Sequence, residues 1–312
     1  MYDFTTGYGV DENVYAFSNG PPGQKILVVY NNTLNATHGR LHHAAPKASA
    51  EHEGIAHAMP VLRQELGLDA GHGQFCRFRT LQGAEYLLHI DQLNDGLELH
   101  LNGYEHRVCL DFRMLDDRDG WWLALHRKLQ GQPVDNLDRE LLRLRYQPLW
   151  LAMTRLLDPE RLRELTEGLG VVPQPKPVRA TLKALLGELD SLVSELRVAA
   201  EIQAFAPPPG GLKDLVKKLP GWLARMAKAE MPGQLLHEMW QGKSERPGLG
   251  AVLLSWLLLQ DLGRQLGLAD DRQCLDLLRG FGLDFAWQES AASQAQTRDV
   301  FLGMLLMQTP TQ

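Results

Sequence analysis

Apolar positions follow two different periods along the chain. Up to about Asp116 they fall in short blocks rich in β-branched and aromatic residues, separated by Gly, Asn, Asp and Pro, which is the pattern of strands joined by turns. It predicts strands over Val14–Ser18, Lys25–Asn31, Phe75–Arg79, Glu85–His89, Leu97–Leu101 and Arg107–Phe112. Asn19-Gly20-Pro21-Pro22-Gly23 reads as a hairpin connection between the first two, because its glycines tolerate positive φ and its prolines fix φ. Asn102-Gly103 predicts a tight hairpin turn between the last two. Thr37 to Gly54, rich in Ala, His and Lys, fits neither period and is expected to be an exposed loop, followed by a short helix over Ile55–Leu66. Several short strands with turns between them predict an antiparallel sandwich or sheet.

After Gly120 the apolar spacing becomes three and four. Leu182, Leu185, Leu186, Leu189, Leu192, Val193 and Leu196 form one stripe of a helix that must be buried against something. Asp158 before Pro159 supplies an N-cap acceptor and then a residue whose missing N–H costs nothing in a first turn. Pro173 to Pro177 reads as a stiff connector, Pro207 to Gly211 as the end of the long helix, and Pro232-Gly233 and Pro247-Gly248 as further helix boundaries. The second half is expected to be a bundle of about six to eight helices.

Composition narrows the function classes. With 312 residues, 44% hydrophobic and 22% charged, the chain is long enough for two domains with cores of their own. A net charge of -6 with interspersed signs argues against nucleic acid, whose binders gain affinity from clustered Lys and Arg. The apolar run Ala251 to Leu259 is broken by Ser255 and ends at Gln260 and Asp261, so no membrane span is expected. Cys76, Cys109 and Cys274 are too few for a disulfide framework and read as reduced, buried thiols. The N-terminus lacks the basic-then-apolar order of a signal peptide, which implies a cytoplasmic protein provided that Met1 is the true start.

Candidate chemistry is sparse. His38, His42, His43, His52 and His57 are concentrated enough to consider a metal, yet there is no HExxH or paired CxxC, and a solvated His-rich loop is the simpler reading. Asp111, Asp116, Asp117 and Asp119 cluster where strands give way to helices. Catalytic carboxylates must face each other across a cleft about 5 to 10 Å wide, and four acids within a few residues more economically form a turn and a helix N-cap. No Gly-x-Ser-x-Gly elbow occurs, and Gly7-Tyr8-Gly9 precedes a strand instead of following one, the wrong context for a dinucleotide turn. Trp121 and Trp122 point about 100° apart on a helix, so one can pack while the other contacts a sugar or peptide. Trp150, Trp222, Trp240 and Trp256 sit among apolar residues and are expected in the core. These residues suggest no catalytic group, no metal and no cofactor.

The first 115 residues carry a resemblance. Glu12-Asn13-Val14-Tyr15-Ala16-Phe17-Ser18-Asn19, a short turn, and Lys25-Ile26-Leu27-Val28-Val29-Tyr30-Asn31-Asn32 resemble the opening of the β-sandwich that follows the catalytic barrel in the α-amylase superfamily, glycoside hydrolase family 13. Gly83-Ala84-Glu85-Tyr86, Gly96-Leu97-Glu98-Leu99, Gly103-Tyr104 and Val108-Cys109-Leu110-Asp111-Phe112-Arg113 are similar to a bacterial branch in which helices continue after the sandwich. The catalytic Asp, Glu and third carboxylate of that family lie on a barrel of about 250 residues, and none of their motifs can be placed here. The resemblance implies an α+β chain, an N-terminal antiparallel β-sandwich over 1–116 followed by an all-α helical bundle over 117–312. It further implies a non-catalytic C-terminal accessory region whose partner is a catalytic barrel, in the same or a companion polypeptide, acting on α-glucan. The rival expectation is a free-standing carbohydrate- or protein-binding scaffold using Trp121 and Trp122.

Overall fold

Alternation of buried and exposed side chains builds the first half. The computed structural model describes residues 1–21, 24–44, 61–68, 74–169, 176–203, 211–212, 249–284 and 286, a few helical side chains excepted. The chain divides into two compact units, Met1–Arg145 and Tyr146–Gln312. The strands are β1 (Tyr2–Thr6), β2 (Gly9–Val10), β3 (Val14–Asn19), β4 (Ile26–Asn31), β5 (Thr37–Ala44), β6 (Phe75–Thr80), β7 (Glu85–His89), β8 (Leu97–Leu101) and β9 (His106–Leu115). Short helices α1 (Leu62–Glu65) and α2 (Ile90–Asn94) interrupt them, and α3 (Trp121–Leu129) and α4 (Leu137–Arg145) follow. All six expected strands are present.

Every strand pairing is antiparallel, in one curled sheet of order β7-β6-β9-β4-β3-β1-β5-β8 with β2 beside β1. Phe4, Val14, Leu27, Leu41, Phe78 and Leu99, from six different strands, meet in a single core on the concave face. Curling the sheet lets both ends of the strand path bury apolar side chains in the same cluster. Gly39 makes one of the close approaches: a Cβ there would lie 2.7 Å from the Phe4 ring and 2.6 Å from the Thr5 carbonyl oxygen.

Two expectations for this half are corrected. The segment from Thr37 is not a loop throughout, because Thr37–Ala44 forms β5, between β1 and β8, with Gly39, Leu41 and Ala44 buried. Residues 45–54, and the start of the helix expected over 55–66, lie outside the described residues, and the described helix is Leu62–Glu65. Asn102-Gly103 does turn, with the Glu105 N–H donating to the Asn102 carbonyl at 3.1 Å, but the flanking strands do not pair with each other. β8 goes to β5 and β9 inserts between β4 and β6. The turn is held instead by Asn31, fully buried, whose Nδ2 donates to the carbonyls of Asn35 (2.8 Å) and Asn102 (2.9 Å) while its Oδ1 accepts from Thr33. A buried amide with its donors and acceptor used this way costs little and fixes geometry.

The sheet's outer face is covered at the β6–β7 end by α3 and α4. Leu125, Leu129 and Leu137 pack there with Phe75 and Leu87, and Trp122 lies half-buried against them. Arg77 ties α4 to the sheet, donating to Glu85 (3.1 Å) and Asp138 (3.0 Å), while Glu85 Oε2 accepts from the first N–H of α4, that of Leu137 (2.7 Å). Burial works against the Arg77 charge, and the two carboxylates outweigh it, leaving its pKa raised. The first unit therefore runs to Arg145, past the expected boundary at 116, because the first helices after the strands pack on the sheet.

The second unit contains α5 (Gln147–Leu156), α6 (Pro159–Leu169), α7 (Lys176–Ala199), α8 (Leu249–Leu266) and α9 (Asp271–Gly280). The expected stripe of α7 is buried at Leu185, Leu189, Leu192, Val193 and Leu196, and packs with Trp150, Leu162 and Leu258. Asp158 caps α6, accepting from the Arg161 N–H at 2.8 Å. Lys176 and Pro177 open α7 instead of belonging to a connector, and α7 ends at Ala199, before the Pro207 run. That run up to Gly210, Pro173–Pro175, Pro232-Gly233, Pro247-Gly248, Trp222 and Trp240 lie outside the described residues, as does the side chain of Trp256. Asp261, buried in α8, is fully engaged by the Leu212 N–H, Arg264 and Gln265. Among the described residues no helix is long and apolar enough to cross a membrane.

Gly39→Ala is expected to destabilise the first unit by about 1–3 kcal/mol, since Phe4 and backbone must both shift. Urea unfolding followed by amide exchange in β1 and β5 checks this, with exchange in α7 as the unaffected reference.

Candidate functional site

The four clustered aspartates are drawn apart by the fold. β9 carries a bulge, with Arg77 opposite Arg113 but Arg79 opposite Leu110. Asp111 sits in it at φ 56°, a left-handed conformation that Asp tolerates better than most residues. The extra residue keeps the alternation in phase, so that Phe112 is buried and Met114 packs on the concave core after the bulge, as Cys109 is before it. Asp111 itself is exposed and paired with Arg79. Asp116 pairs with Arg118 at 2.8 Å. Asp117 reaches over the start of α3, its two carboxylate oxygens accepting from the Trp122 N–H (3.1 Å) and the Leu123 N–H (3.0 Å). Asp119 accepts from the Trp121 N–H at 3.4 Å and lies 3.6 Å from Arg145. The group serves a bulge, a turn and a helix start, where a carboxylate satisfies open N–H groups and faces the positive end of the helix dipole.

Trp121 and Trp122 open α3 together. Trp122 packs in the α3–α4 cluster, and Trp121 is also half-buried. The histidines separate too. His38 is 2.9 Å from Glu98, and the His42 and His43 rings on β5 lie with centroids 3.8 Å apart and planes tilted by 50°. His52 and His57 lie outside the described residues. Among the described residues, no group of three or more His, Cys, Asp or Glu is placed to hold a metal ion. All three cysteines are buried and free of disulfides, and burial pushes the Cys76 and Cys109 thiols up to about 12, far from thiolate chemistry at neutral pH.

A histidine pair that the linear pattern does not single out joins α2 to α3. His89 and His126 have ring centroids 6.3 Å apart and both pack on Phe75. Gln92 Oε1 accepts from the His89 backbone N–H at 2.9 Å and lies 3.1 Å from His126 Nε2, so His126 donates from Nε2. His89 Nδ1 accepts from the Asp91 N–H at 3.3 Å, closing the cap of α2. Nδ1 also lies 3.2 Å from the Asp91 carboxylate. Burial, and secondarily the neighbouring His89, lower the His126 pKa.

Among the described residues, an apolar face lies on the outer side of β3, β4 and β9. Cross-strand register lines up Tyr15 with Tyr30 and His106, and Phe17 with Val28 and Val108. Ile26 is 39% exposed, Phe17 41% and Tyr15 46%. The side chains alternating with them, Ala16, Leu27, Val29 and Cys109, fill the concave core, so both faces of these central strands are apolar. A strand with one solvated face ordinarily alternates apolar with polar. Large contiguous apolar faces are characteristic of interaction surfaces in general.

Compared with known proteins, the chain matches no family model, no curated protein and no solved structure.

Two outcomes test the helix-side assignments. Asp117→Ala is expected to cost about 1–2 kcal/mol through the lost acceptors at the start of α3, read as a lower urea midpoint of the first unit, with Asp117→Asn intermediate. A group whose folded pKa is depressed contributes stability that is full above its unfolded pKa, near 6.5 for His, and lost as pH falls towards the folded value. Between pH 7 and 5 the wild type should therefore lose more stability than His126→Leu, measured as the difference in urea midpoints across that range.

Proposed function

We propose that this chain is a non-catalytic accessory body of an α-glucan-active assembly of the α-amylase superfamily. In this reading the curled sheet acts as the sandwich seated against a catalytic barrel, and the helices from α5 onward form a bundle that caps or docks the assembly. The observation that carries it is the apolar outer face of β3, β4 and β9, with Tyr15, Phe17 and Ile26 substantially exposed. Segments of this face, Val14 to Ser18 and Ile26 to Tyr30, also carry the family resemblance. Aromatic side chains at the centre of a patch are the residues that contribute most when a surface is desolvated against a partner. The use of Asp111, Asp116, Asp117 and Asp119 in ion pairs and in the start of α3 supports the non-catalytic part of the reading.

The test pairs the chain with the barrel encoded in the same reading frame or its immediate neighbour. The chain alone should release no reducing sugar from maltodextrin, and should bind the barrel at least tenfold more tightly than the Tyr15→Ser/Phe17→Ser variant does. Barrel-independent turnover at enzymatic rates, or barrel affinity indifferent to both substitutions, overturns the proposal.

A further inference from the structure

The two ends of the strand path leave a slot on the concave side of the sheet. β7 and β8 are its terminal strands, and a cavity of about 400 Å³ opens between them, within the range of small-molecule sites. One wall is aromatic. Tyr86 stacks on Phe78 with ring centroids 5.1 Å apart and planes 3° from parallel, and Phe112 stacks behind Phe78 at 5.1 Å. Leu88 extends that wall, and Leu97 and Leu99 of β8 form the opposite one.

The polar groups at the slot are rich in donors. Arg40 crosses the end of β8 over Gly96, where a Cβ would meet the Arg40 side chain and the Leu41 carbonyl oxygen at 2.8 Å. Its guanidinium makes two long contacts, Nη1 to the Asp95 carbonyl at 3.3 Å and Nη2 to Glu98 at 3.5 Å, leaving most of its five N–H donors for another acceptor. Arg107 enters from β9, held by Glu105 at 2.9 Å and donating Nη2 to the His100 carbonyl at 2.8 Å, which leaves its Nη1 without a hydrogen bond among the described residues. Two carboxylates also line the slot. Glu98 is engaged by His38 and Arg40, and Asp95 is exposed.

These contacts weigh against one of two kinds of occupant. A peptide strand adding to the sheet needs open edges. The β8 edge has its His100 carbonyl taken by Arg107, and the β7 edge is paired at Glu85 with Val134 in both directions, at 2.7 and 2.9 Å. What remains is an apolar, aromatic-walled cleft with spare guanidinium donors at its rim. We propose that the slot between β7 and β8 binds a small anionic amphiphile, a monocarboxylate whose apolar body lies between Phe78, Tyr86 and Leu88 on one side and Leu97 and Leu99 on the other, with its carboxylate on Arg40. The site lies on the concave side of the sheet and does not depend on the seating of the outer face against a barrel.

Isothermal titration of the full chain with decanoate, and with decanamide as its uncharged counterpart, tests the site. Saturable one-to-one binding of decanoate at least tenfold tighter than that of decanamide is expected. Arg40→Gln, a substitution at an exposed position, should abolish the preference for the acid, and Tyr86→Ser should weaken both ligands. Absence of saturable binding, equal affinity for acid and amide, or decanoate affinity unchanged in both variants overturns the proposal. Tighter binding of an extended peptide of about six residues than of decanoate would overturn it in favour of strand addition.

Discussion

The first unit depends on the concave core that the two ends of the sheet share. Leu97 and Leu99 of β8 lie at one end of the strand path and Phe78 of β6 near the other, yet all belong to a single apolar cluster with Phe4, Leu27 and Leu41. Each fully buried residue of this size is worth roughly 1.5–3 kcal/mol relative to exposure, and a flat sheet could not bury them all together. Curling costs contacts where strands pass closely. Gly39 accommodates the Phe4 ring, and the bulge at Asp111 brings Phe112 and Met114 back to the inner side. The slot between β7 and β8 is the remainder of the same geometry, the place where the curl stops short of closing.

With the inner face committed to the core, the outer face is divided. At the β6–β7 end, Phe75 and Leu87 are covered by Leu125, Leu129 and Leu137 from α3 and α4. Asp117 over the start of α3 and the Arg77–Glu85–Asp138 network fix these helices in place. At β3, β4 and β9 the same face presents Tyr15, Phe17 and Ile26 to solvent. The contrast within one sheet gives the exposed half its meaning, because the fold shows on the same surface how such residues are ordinarily covered.

Short-range pattern determined the elements themselves. Val14 to Ser18, Ile26 to Asn31 and Glu85 to His89 are short blocks rich in β-branched and aromatic residues bounded by turn residues, and the Leu182 to Leu196 stripe needs a helix, so these were legible from local pattern. The cap of α6 at Asp158 and the structural use of Asp117 follow from local chemistry and were equally legible. Thr37–Ala44 was not, because its histidines, Gly39 and Arg40 break the apolar alternation, and pairing with β1 and β8 supplies what its own residues lack.

Tertiary structure alone decided the rest. Asn102-Gly103 encodes a turn, but whether its flanking strands pair is a question of partners far away in sequence. Asn31 and the shared core send β8 to β5 and β9 to β4. Phe78, Tyr86, Leu88 and Leu99 read as ordinary alternating residues in three separate strands, and become one cleft with Arg40 only when the sheet curls. Spacing reports which face of an element is apolar, since that depends on residues two to four apart. It carries no record of what lies across that face, which is set by the packing of side chains brought together from distant parts of the chain.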